Sequence, residues 1–562
     1  LADRVPESTI LYFGWRGGED PGPGYGASPL KALVDESNLH RVFSQMVPAA
    51  IRRIAREEPE AEEPLKIAYA FATQAWRKPM ALTVGAMDYE NFDDPFPRIA
   101  LITQAGADAP ALAQQISDLL TEVPDDVPVN VIAQGDLVVL TFGYIDPATA
   151  VVAGEGLGAS GSFRNALEKP PPDPTLALYI DVGRLIAEID RAVFTFGGND
   201  AADTPVDYYQ RVRDALGIKG VHRILFTSGF ESKLWSDRAY VQAPAPRTGI
   251  VAVADGKPLD KQLLRVVPRS SHSVLAGRFD AAKLIAQLRL IANEVDPEFG
   301  QMFDQGMGAA NLAIGRNLET DILEPLGEHW IAFTAPEIAG NSLLGTVVIN
   351  KLDDPAKAQQ GFTALSLFIS NSANTFLRRE RAPIELPGRT VTFGDIRVWT
   401  IALPLISPCW AIDGEYIYFA FYPQAIVGAI NHVRAGGPSV LENPAFVQVM
   451  EQLGNREVDG LTFTNLPAFA PDGYTGLLAL SRGLLGIGDL FGVPAPEPVV
   501  PLFATFEKNV TPMGSISWSD DSGFYYRAIS PFPGASILRG GVMDAFGLLA
   551  PFSGFAPRAI GR

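Results

Sequence analysis

Two stretches decide how this chain is read: "VIAQGDLVVLTFG" at 131–143 and "WAIDGEYIYFAFY" at 410–422. Aligned on Gly135 and Gly414, both run from an apolar strand through a polar–Gly–acid turn into a second apolar strand. That is the signature of a β-hairpin. Working outward, further matches fall in the same order. "DAPALAQQISDLL" (108–120) meets "DDPAKAQQGFTAL" (353–365), with Pro110, Gln114 and Gln115 set against Pro355, Gln359 and Gln360. "SFRNAL" (162–167) meets "AFVQVM" (445–450) through Phe163 and Phe446, and "VPESTILYFGW" (5–15) meets "VPRSSHSVLAGRF" (267–279). Trp235-Ser236-Asp237 is likewise set against Trp518-Ser519-Asp520.

Collinear matches with drifting offsets describe a tandem duplication with loop insertions. Each copy reads as strand, helix, two apolar strands, a helix opened by an Asp–Pro pattern, the hairpin, a small helix carrying Phe163 or Phe446, a second strand-to-helix unit and a closing hairpin. Asp181 and Asp280 stand where N-caps are wanted. Alternating strands predict an α+β fold, a mostly antiparallel sheet with helices packed on one face. The boundaries expected are a first repeat over 1–247, a linker over 248–266, a second repeat over 267–540 and a C-terminal tail over 541–562. A pseudo-two-fold relation between the halves is expected, as real two-folds relate homodimers.

The totals narrow the class. At 562 residues the chain exceeds one core, and 47% hydrophobic residues with 19% charged ones describe a globular protein. A net charge of −19 with no clustered basic footprint speaks against a nucleic-acid partner. No uncharged apolar run reaches the ~18 residues of a spanning helix. Cys409 is the one cysteine, so no intrachain disulfide forms. The sequence opens on Leu1 rather than Met, so a removed signal peptide is expected, and with it an extracytoplasmic location in the periplasm or at the cell surface.

No motif for chemistry reaches the specificity that would name a reaction. Ser160 and Ser162 lie among glycines without the spacing of a nucleophile elbow. His40, His222, His272, His329 and His432 show no ligand spacing, although His272 and His329 fall in one sheet unit. Asp88, Glu90, Asp93 and Asp94 in one loop, and Asn199, Asp200 and Asp203 in another, offer oxygen ligands but read as solvated carboxylates. Cys409 reads as a small apolar core residue. No catalytic residue, metal ligand or cofactor is expected.

The chain resembles an uncharacterised family of exported bacterial proteins. Those open with a Leu-Pro-x-x-(Ser/Thr) strand and carry an Asn-Pro-x-Phe helix start; "RVPESTILYFGW" is similar to the first feature and "LENPAFVQVM" to the second, with "GSFRNALEK" the degenerate copy. The resemblance implies an extracytoplasmic setting and no established activity.

The expected function is therefore a non-enzymatic cell-envelope protein, structural or partner-binding, with a protein partner or self-association. The alternatives are a carrier of an apolar ligand between sheet and helices, and a hydrolase with a site between the halves. In the second hairpin Tyr416, Tyr418 and Tyr422 share a face on which the first copy places Leu137, Val139 and Gly143. Tyrosines with an apolar body and a polar tip suit a ligand or partner contact.

Overall fold

The computed structural model of the chain describes residues 1–89, 96–120, 129–143, 145–167, 174–196, 205–340, 343–380, 385–386, 388–403, 405–490, 493, 497 and 499–539. Its named strands form one sheet of 18. In the first half they are β1 (Leu11–Trp15), β2 (Met80–Asp88), β3 (Phe96–Gln104), β4 (Val129–Gln134), β5 (Leu137–Phe142), β6 (Leu176–Asp181), β7 (Arg223–Glu231) and β8 (Leu234–Gln242). The second half contributes β9 (Ser273–Arg278), β10 (Leu326–Thr334), β11 (Val347–Leu352), β12 (Gly388–Phe393), β13 (Ile396–Ile401), β14 (Cys409–Asp413), β15 (Tyr416–Ala420), β16 (Gly460–Thr464), β17 (Met513–Asp520) and β18 (Gly523–Ser530).

Every pairing among these strands is antiparallel. The first half runs β4-β5-β3-β2-β1-β6-β7-β8. From the opposite edge the second half runs β12-β13-β14-β15-β11-β10-β9-β16-β17-β18. The two series meet where β8 pairs with β18, from Gly523 opposite Gln242 to Ser530 opposite Trp235. Apart from the β12–β13 hairpin, the strands are visited in the same relative order on both sides of this seam.

Local chemistry accounts for the hairpins and helix starts. Gly135 and Gly414 open their two-residue turns at φ of 66° and 59°, a conformation that a side chain resists and that tight hairpin turns need. Gly394 repeats the device between β12 and β13 at 62°. Both Asp caps form: Asp181 accepts from the Arg184 N–H at 3.0 Å and Asp280 from the Lys283 N–H at 2.8 Å. Asn443 caps the helix Pro444–Leu453 through the Ala445 N–H at 2.9 Å, and its amide donates to the Arg269 carbonyl at 2.8 Å.

Helices cover both faces of the sheet, not one. In β15, Ile417 and Phe419 pack with Phe362 and Trp410 beneath the helix Pro355–Arg379, while Tyr418 packs with Ala425, Ile426 and Ala429 of the helix Pro423–Ala435 on the opposite face. In β5, Val138 and Leu140 lie under the helix Ala109–Leu120, while Leu137 and Val139 share a core with Phe163 and Tyr179. A strand covered on both faces loses alternation, which is why "LVVL" at 137–140 is continuously apolar.

Two further expectations change. Trp235 lies in β8, the second strand of its hairpin, whereas Trp518 lies in β17, the first strand of its own, so the two triplets are not topological counterparts. The segment expected as a linker is packed: Leu263, Leu264 and Val266 lie in a 3-10 turn whose side chains join the second-half core.

Candidate functional site

The tyrosine strip resolves into core and margin. Tyr418 is 0% exposed, deeper than Phe419, because the chain turns at Tyr422 straight into the helix that covers this face. It is a core residue and presents no face to a partner, which corrects the expectation drawn from its polar tip. Its hydroxyl is buried without a hydrogen-bond partner, and burial pushes its pKa up. Tyr416 is half-buried against the same core, edge-on to Tyr418 at 6.4 Å. Tyr422 is half-buried, and its hydroxyl donates to the Leu405 carbonyl.

The other candidates scatter. His329 stands opposite Arg278, while the His272 N–H donates to Thr334 at the far end of the same strand pair. The two rings are therefore not brought together. The Cys409 thiol is pushed up to about 12 by burial and donates to the Ala420 carbonyl at 3.3 Å, which holds it in its protonated, unreactive form. Ser160 accepts from the Phe163 N–H as a helix cap, with Ser162 at 3.0 Å. Asp88 ends β2 and faces Arg98 at 3.8 Å. Glu90, Asp93, Asp94, Asn199, Asp200 and Asp203 lie outside the described residues. Among the described residues no group of three His, Cys, Asp or Glu is placed to hold a metal ion.

The residues that do converge lie at the seam. Arg238 and Arg527, each the fifth residue of its strand, stand directly opposite one another in the β8–β18 pair. Glu231 at the end of β7 bridges them, one carboxylate oxygen 2.8 Å from each guanidinium. Arg527 also donates at 3.0 Å to the carbonyl of Leu453, the last residue of the helix that carries Phe446. Burial opposes ionisation of Glu231, but the Arg238 hydrogen bond and the Arg527 charge outweigh it and hold the carboxyl below its ordinary range.

Beside this bridge three rings stack across the strands. Tyr240 lies 4.9 Å from Tyr525, and Tyr525 lies 5.0 Å from Trp518 with their planes 3° apart. The Arg456 guanidinium closes the stack 4.1 Å above Trp518. These side chains wall a cavity of about 290 Å³ that takes residues from both halves. The signal in the sequence was the pair "RAYV" and "RAIS", an arginine at the same place in the last strand of both closing hairpins.

A second feature lies on the outer helices. The pair Leu39–Glu57 and Glu62–Arg77 joins β1 to β2, and the pair Ala281–Val295 and Pro297–Ile314 joins β9 to β10. Both pairs leave large apolar side chains in solvent: Trp76 is 65% exposed, Met302 64% and Leu312 85%. Patches of this kind mark contact surfaces. No helix among the described residues is long and apolar enough to cross a membrane.

No family model, no curated protein and no solved structure matches this chain.

Two predictions follow from these placements. Tyr418→Phe removes an unsatisfied buried hydroxyl, so stability in urea stays level or rises by up to about 1 kcal/mol, whereas Tyr418→Ala costs roughly 3–5 kcal/mol. A large loss on Tyr418→Phe would show that the hydroxyl has a partner. His329 and His432 are both held below the ordinary imidazole value, chiefly by burial. The unfolded chain then takes up protons that the native rings refuse, so stability falls as pH drops through about 6.5. Urea unfolding above and below that pH is expected to show a shallower decline in the His329→Gln, His432→Gln double variant; an unchanged decline would contradict this.

Proposed function

We propose that the chain is a non-enzymatic binding protein of the cell envelope, made by tandem duplication of one α+β unit. The shared strand order on either side of the seam supports the duplication. So do the matched facing of Val138 and Leu140 with Ile417 and Phe419, and the opposed pair Arg238 and Arg527. The opposed arginines support a pseudo-two-fold relation between the halves, its axis at the middle of the β8–β18 pair. The extracytoplasmic setting rests on the resemblance of "RVPESTILYFGW" and "LENPAFVQVM" to exported proteins.

The observation that carries the binding role is the uncovered apolar side of the helix pairs, at the same place in both halves. Trp76 stacks one face on Trp15 at 4.8 Å, but a chain that gained nothing there would carry polar residues at Met302 and Leu312. A protein surface, either a second copy or another envelope protein, is the occupant such side chains suit. The carrier reading is less well supported, because the chain's own helices fill the space over Tyr418 and Ile417. The hydrolase reading has the seam cavity in its favour, but arginines, aromatic rings and a turn carboxylate supply binding groups rather than a nucleophile with its base.

Native mass spectrometry of the protein isolated from its source, alongside light scattering, tests this reading. The expected result is a bound protein or a second copy, lost in the Met302→Ser, Leu312→Ser variant while the unfolding midpoint moves by no more than about 0.5 kcal/mol. A lone monomer, or association unaltered in the variant, would refute it, and turnover in ester, phosphoester or peptide panels would refute its non-enzymatic part.

A further inference from the structure

The seam cavity has the character of a binding site in its own right, independent of the helix surfaces. Its walls come from both halves, and three guanidinium groups, Arg238, Arg456 and Arg527, border it. Two carboxylates oppose them. Glu231 is shared between Arg238 and Arg527. Asp520 is engaged by its own turn, accepting from the Ser522 N–H at 2.8 Å, the Ser522 hydroxyl at 2.6 Å and the Gly523 N–H at 3.2 Å. The balance of the wall is positive in a chain whose net charge is −19.

Two buried polar groups in the wall are left without partners. The Thr227 hydroxyl, in a residue only 1% exposed, stands beside Arg238 in the β7–β8 pair and makes no hydrogen bond. The Arg527 Nε is in the same condition, although its two terminal nitrogens are engaged. Buried donors are ordinarily satisfied, so such a pair at a cavity points to something that enters it. The rings sharpen the polarity of the site. Trp518 and Tyr525 spend their faces on one another, on Tyr240 and on Arg456, which leaves their ring edges, the positive rim of the quadrupole, for the remaining space.

We propose that this cavity binds a small organic anion, a carboxylate or phosphate monoester carried on a body about the size of one ring. The arginines and Thr227 supply the charge-assisted donors, and the aromatic edges line the body. A volume of about 290 Å³ sits at the lower end of ligand pockets and sets the size limit. Glu231 then acts as an internal competitor that holds the two arginines in place while the cavity is empty.

Calorimetric titration of the intact chain at low salt with benzoate, its neutral isostere benzamide, and phenyl phosphate tests the proposal. Benzoate or phenyl phosphate is expected to bind, with benzamide at least ~10-fold weaker, and Arg456→Gln or Thr227→Val to weaken the anion ~5–10-fold. Glu231→Gln removes the carboxylate that competes for both arginines, so its melting temperature is expected to rise more on adding the anion than that of the native chain. That readout holds even where the variant is destabilised. Absence of anion binding up to about 10 mM, benzamide binding as well as benzoate, or no greater thermal shift in Glu231→Gln would overturn the proposal.

Discussion

The pairing of β8 with β18 is the constraint on which the rest of the molecule depends. Without it each half ends in a hairpin whose outer strand presents a row of unpaired N–H and C=O groups. Such an edge is costly when buried and an invitation to aggregation when exposed. Here each closing strand satisfies the other across eight register pairs. The side chains follow the backbone: Trp518 packs against both principal cores, and Tyr525 of the second half belongs to the core of the first. The ring stack and the Glu231 bridge are therefore consequences of one strand pairing, and the cavity between them exists only because the halves meet.

The ion pairs of the molecule fall into two kinds. Exposed contacts along helices, such as Lys31 with Asp35 or Lys66 with Glu62, contribute little. Arg527 is only 17% exposed, and desolvation holds its pKa below the ordinary value even though Glu231 stands against it. Removing one member of such a partly buried set leaves the others uncompensated, and this makes the site sensitive to charge in a way that the exposed helix pairs are not.

What was legible in the sequence was local. The Gly135 and Gly414 turns, the Asp181 and Asp280 caps and the Asn443–Pro444 helix start each depend on residues within a few positions of one another, and all form as their chemistry requires. What was not legible depended on partners far away. Glu231 and Arg527 are 296 residues apart in the chain, and nothing in either hairpin alone says that the two edges meet. Tyr418 was misjudged for a related reason: an amphipathic ring is silent about whether the following helix folds back over it. The Trp-Ser-Asp match failed because three residues can coincide while standing on different strands of a hairpin. The second layer of helices escapes a reading that takes the strands as alternating, because "LVVL" at 137–140 is apolar on both faces.

Hydrogen–deuterium exchange across the strands tests the central claim most directly. A continuous sheet predicts that amides of β8 and β18 exchange as slowly as those of the interior strands β1 and β9, while the outermost strands β4 and β12 exchange faster. Exchange of β8 and β18 at the rate of β4 and β12 would mean that the two closing hairpins are free edges, and the account of one fused sheet would be wrong.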